Sequence, residues 1–320
     1  MSAPGPHGAF AIGSLGAAAD RSSDMGRDVV ATEMLTHARP AASLPDVRDA
    51  DPVGTKLARL ETKPSLDIGE VDYDLRDPDA VRRRLAAPLA YSQRVEAMVT
   101  GLSIETLLPR TGTGNGYIHR FLAVWTPDEQ GHALALDRLL LALDIEPFPL
   151  PQDEPVPVHN RLAGLLGTLS RRMHETVELV YHSVGAMNER LAFSAYERMS
   201  EVLVGLGEHG LVDSLLKPLR RDESAHLGYY RTAARELRDR LDRWQIAVAR
   251  NIIVRTYSPV GAGEAKDKPA FAATLRSLGD SREIVDRVQL IAESLLSVDE
   301  KKLRPFVQRS FDRCVSSSLA

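Results

Sequence analysis

The chain contains 320 residues, with 43% apolar and 5% aromatic side chains, a formal net charge of −4 and one cysteine, Cys314. Its length suits one main domain with appendages. Its net charge does not favour nucleic acid or an anionic membrane as partner. A single cysteine excludes an internal disulfide or a thiolate metal cage. Leu, Ala, Val and Arg run through long periodic stretches and no alternating strand pattern persists, so an all-α fold is predicted.

Three regions are predicted along the chain. Residues 1–50 are expected to form an irregular arm, because the start of the chain is rich in Gly, Ala and Ser and lacks the pattern of a signal peptide. Residues 51–256 are predicted to form a helical bundle, and residues 257–320 a helical extension packed on it. Since no apolar run is long enough to span a bilayer and cysteine is nearly absent, we expect a cytoplasmic protein without a transmembrane segment.

Four long helices are predicted within residues 51–256. The first begins at Asp77 and Pro78, a helix-capping residue followed by proline at the first helical position. The glycine-rich segment TGTGNG separates it from the second helix, and a proline-dense segment at 146–157 indicates a long connection to the third. A kink is expected in the fourth helix at Pro218. The predicted spans are 77–108, 117–143, 159–205 and 211–241.

Two Glu-x-x-His motifs lie in the middle of the second and fourth predicted helices. They are Glu129-Gln-Gly-His132 and Glu223-Ser-Ala-His226. Residues three apart lie about 60° apart around a helix, so each motif presents a carboxylate and an imidazole on one face. Each pair is therefore predicted to hold one metal ion.

An aspartate precedes the glutamate of each motif and lies on the same helical face as the histidine. Asp128 and Asp222 are therefore predicted to orient an imidazole that belongs to a facing helix.

Di-iron helical bundles of the ferritin-like type add one glutamate from each of the two remaining helices. Here Glu105 and Glu189 are the candidates, whereas Glu96 falls about 180° from Glu105 on a continuous helix and is not expected to share its face. Carboxylates and imidazoles without thiolates suit iron or manganese, and this number of ligands suits two ions.

Four segments resemble the soluble acyl-carrier-protein desaturases: IETLLP, AVWTPDEQGH, MNERLAF and RRDESAH, in the same order along the chain. The resemblance covers residues 75 to 240. It implies a ferritin-like four-helix bundle with a long crossover, a homodimer, and desaturation of a fatty acyl chain carried on acyl carrier protein, using dioxygen and electrons from ferredoxin or a similar donor. It implies two iron ions, with these ligands: Glu105, Glu129, His132, Glu189, Glu223 and His226.

Ala192 departs from that family, which usually carries a threonine one turn after the ligand that corresponds to Glu189. Two alternatives to desaturation stay open, and the loss of this hydroxyl is the feature that keeps the first one open. One is a diiron oxygenase or hydroxylase that acts on another carrier-bound or small substrate. The other is a non-catalytic iron-binding bundle.

An arginine-rich face of the fourth helix is the candidate docking surface for the acidic carrier protein. It points away from the predicted ligands, and an arginine-rich face is equally typical of a plain solvated helix surface. Its members are Arg220, Arg221, Arg231, Arg235 and Arg238.

Overall fold

The computed structural model describes residues 51–99, 116–149, 170–262, 267–279, 281–297 and 303–316. No strand occurs among these residues, so the predicted all-α fold is confirmed for this part of the chain. The irregular arm predicted for residues 1–50 lies outside it. None of the described helices is long and apolar enough to cross a membrane.

The helices are numbered here in chain order, and the four longest are α2 to α5. A helical turn at His209–Leu211 and a π-helical segment at Val212–Leu216 lead into α5. The helices are α1 (Pro52–Thr62), α2 (Pro78–Val99), α3 (Gly116–Ala142), α4 (Arg171–Leu206), α5 (Lys217–Arg240), α6 (Arg243–Thr256), α7 (Lys268–Leu278), α8 (Ser281–Leu296) and α9 (Val307–Ser316).

Local capping chemistry sets the ends of several helices. Asp51 accepts hydrogen bonds from the backbone N–H groups of Val53 and Gly54, both at 3.1 Å, and thereby starts α1. Ser170 accepts one from Met173 and starts α4, so the predicted start of that helix at residue 159 is wrong. Gly207 ends α4 with a φ of 81°, a conformation that favours glycine.

The four longest helices pack in pairs, α2 against α3 and α4 against α5, and α2 also contacts α4. Helix α1 lies on α3 and α5, while α7 packs against α2 and α8 against α4.

Two apolar clusters fill the interior. One contains Phe121 and Trp125 of α3 with Tyr229 and Tyr230 of α5, and the other contains Leu136 of α3 with residues of α2 and of the π-helical segment. Along α3 and α5, the two Glu-x-x-His motifs lie between these clusters. The fold therefore places ionisable side chains at a level of the bundle enclosed by apolar packing on both sides.

Candidate metal centre

Six carboxylate and imidazole side chains from four helices meet in the interior, and none is more than 6% exposed. Helices α3 and α5 each supply a glutamate and a histidine, because the i, i+3 spacing places both on the buried face. Helices α2 and α4 each supply one glutamate. The six residues are Glu96, Glu129, His132, Glu189, Glu223 and His226.

These side chains form two overlapping groups, and in each group the ligand atoms all lie within 4.8 Å of one another. Glu129 and Glu223 belong to both groups. Glu96 and His132 complete the first, and Glu189 and His226 complete the second. Two sets of ligand atoms that have two carboxylates in common suit a pair of neighbouring metal ions better than a single ion.

The inward atoms of the cluster face one another without a good hydrogen bond. His226 Nδ1 lies 3.1 Å from Glu129 Oε1, and His132 Nδ1 lies 3.4 Å from Glu223 Oε1. Within the described part of the chain, all four atoms are buried and lack a hydrogen-bond partner of acceptable geometry. A buried polar atom without a partner costs about 1–3 kcal/mol. Cations bound between these atoms would satisfy all four, so the residues present fit a metal centre.

Electrostatics lead to the same conclusion. Burial raises the pKa of the Glu129 carboxyl well above its usual value, and the neighbouring Glu96 adds to this effect. Burial also raises the pKa of Glu189, with a further contribution from Glu223. Closely packed buried carboxylates cannot all be ionised unless positive charge is supplied. Divalent cations would replace the retained protons, since metal binding requires deprotonated ligands.

Each histidine is held from behind by the aspartate of the opposite motif. His226 Nε2 lies 3.2 Å from Asp128 Oδ2, and His132 Nε2 lies 3.4 Å from Asp222 Oδ2. Burial raises the pKa of both aspartates, but the facing histidines and Lys63 outweigh burial and lower it below the usual range. Ionised aspartates at these positions favour the tautomer with its proton on Nε2, which leaves Nδ1 free to bind a metal ion.

Two further side chains hold the ligand carboxylates in place. The hydroxyl of Tyr196 donates to Glu96 Oε1 at 2.5 Å, and the indole Nε1 of Trp125 donates to Glu189 Oε1 at 3.2 Å. Tyr196 thereby fixes one oxygen of Glu96 in the first group of ligand atoms, and Trp125 fixes one oxygen of Glu189 in the second.

No protein-family model, curated protein or solved structure matches this chain.

Five of the six predicted ligands are brought together by the fold: Glu129, His132, Glu189, Glu223 and His226. The sixth, Glu105, lies outside the described residues.

Glu96 belongs to the first group of ligand atoms, contrary to the expectation from helical angles. That expectation compared Glu96 with Glu105 on one unbroken helix, whereas the described part of α2 ends at Val99. A different signal was present in the sequence. Glu96 precedes Glu129 by 33 residues, and Glu189 precedes Glu223 by 34, so the two helix pairs repeat nearly the same spacing.

Three of the five candidate docking arginines make contacts within the chain. Arg220 lies 3.5 Å from Glu197, Arg221 bonds to Asp222 and to a backbone carbonyl, and Arg238 bonds to Asp239 and to the carbonyl of Ser294.

The other two, Arg231 and Arg235, are half-buried and exposed, respectively. Burial lowers the pKa of Arg231, and the nearby Arg235 lowers it further. Burial together with Arg287 and Arg231 has the same effect on Arg190 of α4. Arg231 therefore lies near both Arg190 and Arg235, and the acidic side chains of Glu197 and Glu283 also lie near Arg190.

Proposed function

We propose that this chain is a ferritin-like diiron protein that uses dioxygen to desaturate a fatty acyl chain carried on acyl carrier protein. The observation that carries the proposal is the pair of overlapping groups of buried ligand atoms that share Glu129 and Glu223. The choice of iron follows from a donor set of carboxylates and imidazoles without thiolate. The choice of acyl substrate rests on the resemblance of the four sequence segments to the soluble desaturases.

The protein's own residues have distinct tasks in this proposal. The residues that would hold the two ions are Glu96, His132, Glu189, His226 and the two shared glutamates, Glu129 and Glu223. When bound, the iron pair would activate dioxygen and supply the oxidising equivalents. Asp128 and Asp222 keep the imidazoles oriented, while Tyr196 and Trp125 keep two carboxylates in place. The apolar clusters on either side limit the entry of water to the site.

The overall reaction is balanced with an external electron donor. Two hydrogens leave adjacent methylene carbons and a carbon–carbon double bond forms, while dioxygen takes up two further electrons and two protons and becomes two molecules of water. We propose ferredoxin or a similar protein as the donor and a homodimer as the active form, as in the family that the segments resemble.

The test is product analysis with the iron-loaded protein, saturated acyl carrier protein substrates of several chain lengths, dioxygen and a ferredoxin reducing system. The proposal expects a monounsaturated acyl product whose formation requires dioxygen. A hydroxylated acyl product would instead favour the oxygenase alternative. Iron oxidation without any acyl product would favour a non-catalytic bundle.

The oxygenase alternative has one structural observation in its favour. Ala192 is partly buried and packs against the second apolar cluster, three residues after Glu189. The methyl side chain offers no hydroxyl that could carry a proton on this side of Glu189. An Ala192→Thr variant that shifts products from hydroxylated to unsaturated chains would identify this position as the cause.

Docking of the acidic carrier protein is proposed at Arg231 and Arg235, since complementary charge steers such partners together. Reversing both charges should raise the KM for carrier-bound substrates and leave kcat nearly unchanged. Arg171→Glu is the matched control, because Arg171 is exposed and belongs to the N-terminal turn of α4. Equal KM values in the double variant and the control would exclude docking at this surface.

A further inference from the structure

Lys63 lies directly behind the candidate metal centre. Its side chain is 8% exposed, and its Nζ atom lies 2.7 Å from Asp222 Oδ1 and 3.0 Å from Asp128 Oδ2. Both aspartate side chains are fully buried. One ammonium group therefore bridges the outer carboxylates of the two motifs.

The bridge continues to both histidines. Asp128 contacts Lys63 and His226 through the same oxygen, Oδ2, whereas Asp222 contacts Lys63 through Oδ1 and His132 through Oδ2. The five side chains form a connected chain of contacts from one imidazole to the other. A displacement of the ammonium group would thus affect both halves of the site.

The position of Lys63 depends on the packing of α1. Lys63 is the first residue after this helix, in an extended conformation with φ −67° and ψ 137°, and its N–H bonds to the carbonyl of Leu60. Because α1 packs on α3 and α5, the residue that follows it is directed between the two motif helices. Lysine is rarely buried unless it is paired, and here two carboxylates compensate for the loss of hydration.

We infer that Lys63 is a positioning residue that joins the two halves of the metal centre. Through its positive charge, Lys63 also stabilises the reduced state of the centre relative to the oxidised state. This inference rests on the proposed metal centre.

The expected stabilisation of the reduced state follows from the charges of the side chains around the site. Among the described residues, six carboxylates surround the site: Glu96, Glu129, Glu189, Glu223, Asp128 and Asp222. The guanidinium of Arg221 also contacts Asp222, but its side chain is 46% exposed, so solvent screens its charge and it is left out of the count.

We take all six carboxylates as ionised, both imidazoles as neutral and Lys63 as protonated. These groups together with two divalent ions then carry a net charge of −1, and with two trivalent ions a net charge of +1. Without the ammonium group, these values become −2 and 0. A buried positive charge favours the state with fewer positive charges on the metals, because Coulomb interactions are weakly screened there. Removing the charge of Lys63 should therefore lower the midpoint potential of the centre.

The test compares Lys63→Met, which removes the charge and keeps an unbranched stem, with Lys63→Arg, which keeps the charge. Lys56→Met is the control, because Lys56 is a partly exposed lysine of α1 that approaches Gly228 of α5. Iron content, iron affinity against a competing chelator and the midpoint potential are measured on the full-length chain. Circular dichroism and thermal unfolding of the metal-free variants establish that each one folds.

We expect Lys63→Met to show a lower midpoint potential and to bind iron about ten-fold more weakly, the lower end of the range for outer partners of metal ligands. Weaker binding is expected because the loss of the contact that positions both aspartates outweighs the removal of a positive charge that repels the cations. Lys63→Arg should restore most of both values, and Lys56→Met should change neither. If Lys63→Met does not fold, the folded Lys63→Gln variant, which keeps hydrogen-bonding capacity without charge, gives the same comparison of potential.

Two results would overturn the inference in distinguishable ways. Two irons in the unmodified chain, with unchanged affinity and potential in the variants that lack the charge, would exclude the role of Lys63 and leave the proposed function intact. An unmodified chain that binds no iron would remove the metal centre and the role of Lys63 together.

Discussion

His226 on α5 is contacted at Nε2 by Asp128 on α3, at 3.2 Å, so the two motifs hold each other across the helix interface. The reverse contact joins His132 to Asp222 at 3.4 Å. Each Asp-Glu-x-x-His segment therefore supplies a glutamate and a histidine to the candidate metal centre and a support for the imidazole of the other segment. This exchange explains why the aspartates are fully buried although they lie outside the two groups of ligand atoms.

Replacement of either aspartate should weaken metal binding. We expect Asp128→Asn and Asp222→Asn each to lower metal affinity by about 10- to 100-fold, because the histidine loses the charged partner that fixes its orientation. Competition with a chelator measures the affinity. Asp239→Asn serves as the control, since the Asp239 side chain is 65% exposed at the end of the same helix as Asp222. An affinity equal to that of the control would contradict this role.

Gly185 allows close packing of Tyr230 against α4. A Cβ atom at this position would lie 2.5 Å from Cε1 of the Tyr230 ring, which is fully enclosed. Gly185→Ala should therefore reduce the free energy of unfolding by about 1–3 kcal/mol through overpacking.

Gly205, near the end of the same helix, provides the matched comparison because no atom lies within 4 Å of its added Cβ. There the same substitution should stabilise the protein by about 0.4–1 kcal/mol. Denaturant unfolding of both variants measures the difference. A Gly185→Ala variant as stable as Gly205→Ala would show that the Tyr230 ring moves aside without cost.

His182 should make the stability depend on pH. Burial lowers the pKa of its imidazole from 6.5 to about 3, so the unfolded chain binds a proton at pH values where the folded chain does not. Its contribution is complete above the unfolded pKa and is lost as the pH falls toward 3. Between pH 7.5 and pH 5.5 the loss should be about 1 kcal/mol.

The measurement is the unfolding free energy of the unmodified protein and of His182→Gln at both pH values. The variant should lose less stability on acidification than the unmodified protein. His119→Gln is the control, since it makes the same substitution at an exposed histidine of α3. Identical pH profiles for all three proteins would show that His182 takes up a proton in the folded state.

The sequence was sufficient for those features that depend on local spacing. The two Glu-x-x-His motifs could be placed on helix faces because residues three apart lie on one side of any helix. The second helix was predicted at 117–143 and extends over Gly116–Ala142, since its apolar pattern is uninterrupted. Glu189 was identified as the candidate glutamate on the third predicted helix, because a ferritin-like di-iron bundle needs one more glutamate from that helix.

Other features depend on tertiary packing and could not be predicted from local patterns. Glu96 joins the first group of ligand atoms because α2 packs against α3, a tertiary contact that helical angles within one helix do not reveal. Lys63 follows a short helix, and only the packing of α1 on α3 and α5 buries its charge. The start of α4 depends on the capping contact that the Ser170 side chain makes with the N–H of Met173.

The central claim is that the six buried side chains hold two iron ions. The most direct measurement is the iron content per chain of protein produced with iron, compared with that of a Glu129→Gln, Glu223→Gln double variant. Glu178→Gln is the control, because Glu178 is a buried glutamate of α4 that pairs with His174 outside the cluster. We predict about two irons per chain in the unmodified protein and in the control, and loss of both in the double variant. An unmodified protein without iron, or iron that is retained when both shared glutamates are replaced, would contradict the account.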